Sequence, residues 1–161
     1  MKHRLKHKLY GENTLLQYGG DILHSHGMAQ EKRFLQHGTV SVYEHSVAVA
    51  LMCLQLARLL HLRTNTRSLV RGALLHDYFL YDWHIKEKDR SLHGTHHARR
   101  AMANAQRDFG LNHIEKNMIL AHMFPLNLTL PRYRESVLLC AADKICAARE
   151  TWQGVFRKKR L

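Results

Sequence analysis

Helix breakers are scarce in this 161-residue chain: Pro125 and Pro131 are its two prolines, so long helical segments meet few obligatory interruptions. Cysteine is also sparse. Cys53, Cys140 and Cys146 are odd in number and include no close Cys-x-x-Cys pair, which argues against a disulfide framework and against a zinc knuckle. Lying in helical-looking stretches, they read as buried thiols of a reducing compartment. The uncharged run from Ser46 to Ala57 is too short to span a bilayer. The basic N-terminus is followed by no apolar stretch resembling a signal peptide, and the expectation is a cytoplasmic protein without a membrane partner. Acidic residues are outnumbered, 13 against 25 basic ones, for a net charge of +12 and a pI near 10.0.

Such a charge suggests an anionic partner, but its distribution weakens that inference. Lys2, Arg4, Lys6 and Lys8 lie at one end and Arg157, Lys158, Lys159 and Arg160 at the other, which leaves the middle only mildly basic. Basic ends of this kind read first as solvated, frayed tails (1–8 and 157–161) and only second as nucleic-acid grips. The length suits one domain with a sizeable core, and no repeat or low-complexity linker divides it, so residues 1–161 are expected to form a single domain.

Apolar residues recur at steps of three and four rather than two, which predicts an all-α fold. Short leading helices are expected over Thr14–His24 and Ala29–Gln36. A long helix should open at Ser41, where Ser41 and Glu44 form a capping-box pattern. Further helices are expected over Thr66–Tyr78, Thr95–Phe109, Glu115–His122 after an Asn112-x-x-Glu115 start, and Arg132–Trp152.

Against this background, six polar residues fall on apolar stripes. His45 belongs to the series Val42, His45, Val49, Met52, Leu56 and Leu59, which keeps it on the core-facing side. Leu69, Ala73, Asp77 and the adjoining His76 continue another stripe. His97 precedes Ala101, Ala105 and Phe109; His122 follows Ile114 and Met118; and Asp143 lies between Leu139 and Cys146 or Ala147. A buried histidine alone is usually a hydrogen-bonded core residue. Four imidazoles and two carboxylates together would cost several kcal/mol per uncompensated ionised group, more than a marginally stable domain absorbs. A bound cation removes that cost; a metal-free hydrogen-bonded network is the remaining explanation. Mixed nitrogen and oxygen donors suit divalent transition metals, Fe, Mn, Co, Ni or Zn, better than calcium or magnesium.

His45, the His76-Asp77 doublet and the distant Asp143 resemble the signature of the HD-domain superfamily of metal-dependent phosphohydrolases. The likeness runs from Gly-Thr-Val-Ser-Val-Tyr-Glu-His-Ser (38–46) through Gly-Ala-Leu-Leu-His-Asp (72–77) to Ala-Ala-Asp-Lys (141–144). It implies a compact multi-helix domain with the metal site between inward-facing helices. His45, His76, Asp77 and Asp143 would bind one ion, Fe or Mn being favoured, and Asp77 would bridge to a second held by His97 and His122. His93, one turn before His97, is expected on the substrate side, whereas His96 points elsewhere on the helix. Position 80 is Leu, not the lysine of His-Asp-x-x-Lys members, and no Gly-Tyr-Pro follows; both departures remove the cyclic-di-GMP subclass.

The implied chemistry is hydrolysis of a phosphoester or phosphoanhydride in a small phosphorylated metabolite, a nucleotide by preference. Lys144 is the first choice for gripping phosphate, ahead of Arg99, Arg100, Arg132 and Arg134. His93, His84 and Asp82 are candidates for protonating the leaving group. Tyr78, Phe79, Tyr81 and Trp83 offer either an aromatic wall beside the metal or ordinary core. Two other readings stay open: an HD-type di-iron oxygenase, and a non-catalytic, metal-stabilised module whose basic ends dock on RNA or another acidic partner.

Overall fold

The computed structural model describes residues 2–80 and 93–158, with side chains described for 10–36, 38–80 and 97–154. Seven helices and one two-stranded sheet are found among the described residues: α1 (Lys2–Leu23), α2 (His26–Glu31), β1 (Leu35–His37), β2 (Val40–Ser41), α3 (Val42–Leu59), α4 (Thr66–Leu75), α5 (His93–Phe109), α6 (His113–Ala121) and α7 (Arg134–Lys158). The all-α expectation therefore holds, with a small hairpin added.

Local capping explains most of the boundaries. Ser41 accepts the Glu44 N–H through its hydroxyl while the Glu44 carboxylate accepts the Ser41 N–H, so both halves of the capping box form at the start of α3. Asn112 and Glu115 repeat the arrangement at α6, and Asn65 caps α4. Near the C-terminus, the last long helix begins at Arg134 rather than Arg132, the Arg132 N–H being taken by Asn117 instead.

The two leading helices change extent. The first begins at Lys2, not Thr14, and so carries the basic segment within it; the stretch around Gly11 hid this start by lacking an apolar period. The second is shorter, His26–Glu31, because Ser25 caps it early. Its expected last residues, Leu35 and Gln36, instead belong to β1 (Leu35–His37), which pairs with Val40–Ser41. Gly38 makes that hairpin feasible at φ 61°, a left-handed conformation that glycine adopts without steric penalty. The hairpin rests on α7, where the missing Cβ of Gly38 would lie 3.8 Å from the Gly154 Cα.

Every residue from Ser68 to Leu75 is buried, which makes α4 the centre of the molecule, packed on α1, α3 and α6. Gly72 lets α6 approach: a Cβ there would stand 2.5 Å from the Met118 sulfur. Arg71, also buried, is held by Asp21 of α1 at 2.9 Å and Glu115 of α6 at 3.3 Å, so the charge inside the bundle ties three helices together. All three cysteines are free, Cys53 and Cys146 being buried. Among the described residues no helix is long and apolar enough to cross a membrane.

Candidate metal centre

Five helices deliver polar side chains to one buried location, three from their interiors and two from their ends. His45 projects from the first turn of α3, His97 from α5 and Asp143 from α7. His76 and His122 are the C-caps of α4 and α6. The expected helix through Tyr78 thus stops at Leu75, and the His-Asp doublet sits just beyond it.

Carbonyls in the last turn of a helix have no intrahelical partner, and both C-cap rings use one. The Nδ1–H of His76 donates to the Ala73 carbonyl at 2.8 Å, and that of His122 to the Ile119 carbonyl at 2.7 Å. With Nδ1 carrying the proton, Nε2 of each ring is the donor atom available to the centre. Two helix C-termini directed at one place also favour a cation there.

Asp77 lies among these rings. Its Oδ2 is 3.4 Å from His76 Nε2 and accepts a hydrogen bond from Gln36 of β1. Its Oδ1 is 3.4 Å from His122 Nε2 and 3.5 Å from His97 Nε2. On the other side, Asp143 Oδ1 stands 3.1 Å from His45 Nε2 and 3.8 Å from His76 Nε2. Two triads result, His45 with His76 and Asp143, and Asp77 with His97 and His122, each having donor atoms within 4.8 Å of one another.

The donor set fits a divalent transition metal. Nitrogen and oxygen donors are mixed as such ions prefer, and His76 Nε2 and Asp77 Oδ1 are buried without a hydrogen-bond partner, a cost that coordination would remove. The Nε2 atoms of His97 and His122 approach to 2.9 Å, so a proton or a cation has to lie between them. Electrostatics agree. Burial alone would raise the Asp77 carboxyl, but His76, His122 and His97 outweigh it and hold the group well below the usual carboxylate range. Asp143 is likewise held low against burial, by His45 and His76. Conversely, His45 rises to about 10, because Asp143, Glu150 and Asp77 overcome the burial that opposes its charge. Two negative charges, that of Asp77 buried and that of Asp143 largely so, call for positive charge beside them.

Other expected residues fall less centrally. Lys144 is exposed, its ammonium 3.4 Å from the carbonyls of His122 and Cys140, at the rim of the centre. Arg99, Arg100, Arg132 and Arg134 are exposed, Arg134 being bonded to the Arg63 carbonyl. Tyr78 and Phe79 are core rather than a wall open to a ligand: both are about 1 % exposed, Tyr78 donates to Asp108, and Phe79 packs edge-on against the His97 ring. The expectations for Tyr81, Asp82, Trp83, His84 and the side chains of His93 and His96 lie outside the described residues.

Three groups were missed in the sequence. Gln36 touches Asp77 from a segment expected to be helical. Glu150 accepts from His45 Nδ1 at 2.9 Å; seven residues after Asp143, it continues the same helical stripe, which was a usable signal. Glu31 of α2 is fully buried, and burial, then the charge of Asp77, push its carboxyl well above the usual range, only partly offset by the Leu80 N–H.

No curated protein and no solved structure matches the chain. The family model for the HD domain matches residues 42–148, from the first residue of α3 into α7, a span that contains all six residues of the two triads. By that match the chain belongs to the HD domain family, whose members are generally metal-dependent hydrolases.

Proposed function

We propose that the protein is a phosphohydrolase that cleaves a phosphoester or phosphoanhydride bond of a small phosphorylated metabolite, a nucleotide by preference. The observation that carries this reading is the position of Asp77, which turns one carboxylate oxygen toward His76 and the other toward His97 and His122. A carboxylate so placed suits a bridging ligand between two ions, Fe or Mn being favoured. Bound in this centre, such ions would supply a water acidic near neutral pH and positive charge beside the phosphoryl oxygens.

The chain's own groups do the rest. His45, His76 and Asp143 would hold one ion, and His97 and His122 would hold the other with Asp77. Their Nδ1–H bonds to Glu150, Ala73 and Ile119 keep three of the four rings in the tautomer that leaves Nε2 for coordination. Gln36 steadies the second Asp77 oxygen. Lys144, at the rim, would attract the phosphate, and His93 is the sequence candidate for protonating the leaving oxygen. Phe79 shields His97 from solvent.

Elemental analysis of protein purified without chelator should find about two equivalents of transition metal per chain, with most of it lost in Asp77→Ala. The loaded wild type should turn over members of a panel of phosphomonoesters, phosphodiesters and dinucleoside polyphosphates, and Lys144→Ala should raise KM more than it lowers kcat. A wild type that neither carries nor takes up metal overturns the proposal. Metal without turnover on the whole panel would direct the search to the non-catalytic, metal-stabilised module.

A further inference from the structure

The three rings whose Nδ1 partners are defined do not obtain them in the same way. His76 and His122 sit at helix C-caps and use carbonyls three residues earlier in their own chain. Those carbonyls are orphans of the last turn, so these two ligands are oriented by their own helices. His45 has no such option. It lies in the first turn of α3, where the orphan groups are N–H donors and every nearby carbonyl on the same helix is committed to the helix itself. Its Nδ1–H is met from 105 residues away by the Glu150 carboxylate of α7, at 2.9 Å, while its Nε2 faces Asp143 of the same helix at 3.1 Å. The fully buried ring is therefore held between two carboxylates that are two turns apart on α7.

Glu150 has a second side. It lines a cavity of about 510 Å³ between the start of α3, the hairpin and the end of α7, together with Thr39, Glu44, Arg149 and Gln153. Its side chain keeps 10 % of its surface exposed, whereas that of His45 keeps none. A small solute in that cavity would reach position 150 while remaining outside the metal centre.

We infer that Glu150 is a positioning residue for the metal centre: through the cavity side of α7 it fixes the tautomer and orientation of His45 and strengthens it as a ligand. This rests on the metal-binding reading given above. A carboxylate as acceptor makes the imidazole a better donor than a neutral acceptor does, so charge at position 150 matters as well as geometry.

The test is Mn²⁺ affinity by titration calorimetry on the full chain, comparing wild type, Glu150→Ala and Glu150→Gln, each with sodium formate or an equal concentration of sodium chloride. Loss of such an outer partner weakens metal binding by about 10- to 100-fold; Glu150→Ala should fall in that range and Glu150→Gln should lose less. Formate, entering the cavity beside Arg149, should restore most of the Glu150→Ala loss and leave wild type unchanged. A role in packing alone would show no such rescue. Glu150→Ala binding as tightly as wild type, or a loss that formate does not reduce, overturns the inference. If Glu150→Ala is unfolded by far-UV circular dichroism, Glu150→Gln decides: weaker binding than wild type supports the inference, and equal binding overturns it. Wild type that binds no Mn²⁺ overturns the inference and the metal-binding reading together.

Discussion

Glu31 shows what a single carboxyl can do to the stability of this domain. Its folded-state pKa lies well above the ordinary value of 4.5, with burial as the first cause, so the folded chain holds a proton that the unfolded chain releases. Stability from this group is fully present below the unfolded pKa and is lost as pH rises through the folded one. Glu31→Gln removes that titration. Urea midpoints of the two proteins should therefore diverge from pH 5 to pH 8, with the variant the more stable at the higher pH; a constant difference would contradict the assignment. Nothing in the one-dimensional pattern marks Glu31, because its burial depends on packing against segments far from it in the chain. His45, by contrast, was legible: three-and-four spacing with Val42 and Val49 placed it inside before any partner was known.

Among the elements, α3 brings an N-cap close to the site, since Ser41 opens the helix one turn before His45. Ser41→Ala removes the hydroxyl that accepts the Glu44 N–H and should cost about 1 kcal/mol by urea denaturation, as N-cap losses typically do. Metal stoichiometry should stay unchanged, because His45 is also held from α7. Helix starts of this kind were readable from Ser41-x-x-Glu44 and Asn112-x-x-Glu115. The end of α4 was not. Its apolar period continues through Asp77, and only the turn that gives the Ala73 carbonyl to the His76 ring stops it at Leu75. The hairpin was misread for a similar reason: Leu35–His37 is too short for a period of two to declare itself, and its pairing depends on the left-handed turn at Gly38.

For the whole molecule, metal binding as proposed would be linked to folding, since the six residues of the two triads come from five helices or their ends and are brought together only in the native state. A metal ion at a hundredfold excess over its Kd stabilises the folded chain by about 2.7 kcal/mol. At roughly 2–4 °C per kcal/mol for a chain of this size, chelation should lower Tm by about 5–10 °C. Differential scanning fluorimetry with and without chelator measures this, and Asp77→Ala should show a much smaller shift. An equal shift in the variant would mean that the stabilising ion sits elsewhere.

Helical class, the capped starts of α3, α4 and α6 and the inward placement of the six histidines and aspartates of the two triads are legible in the sequence itself, because periodicity and caps act over a few residues and leave a local trace. Grouping was decided only in three dimensions. Asp77 faces both triads because α4 ends where it does, Glu150 reaches His45 because α7 lies along α3, and Gln36 reaches Asp77 because a short hairpin folds onto α7. Each of these contacts joins residues far apart in the chain, and their pairing is determined by how whole helices pack, which no local spacing encodes.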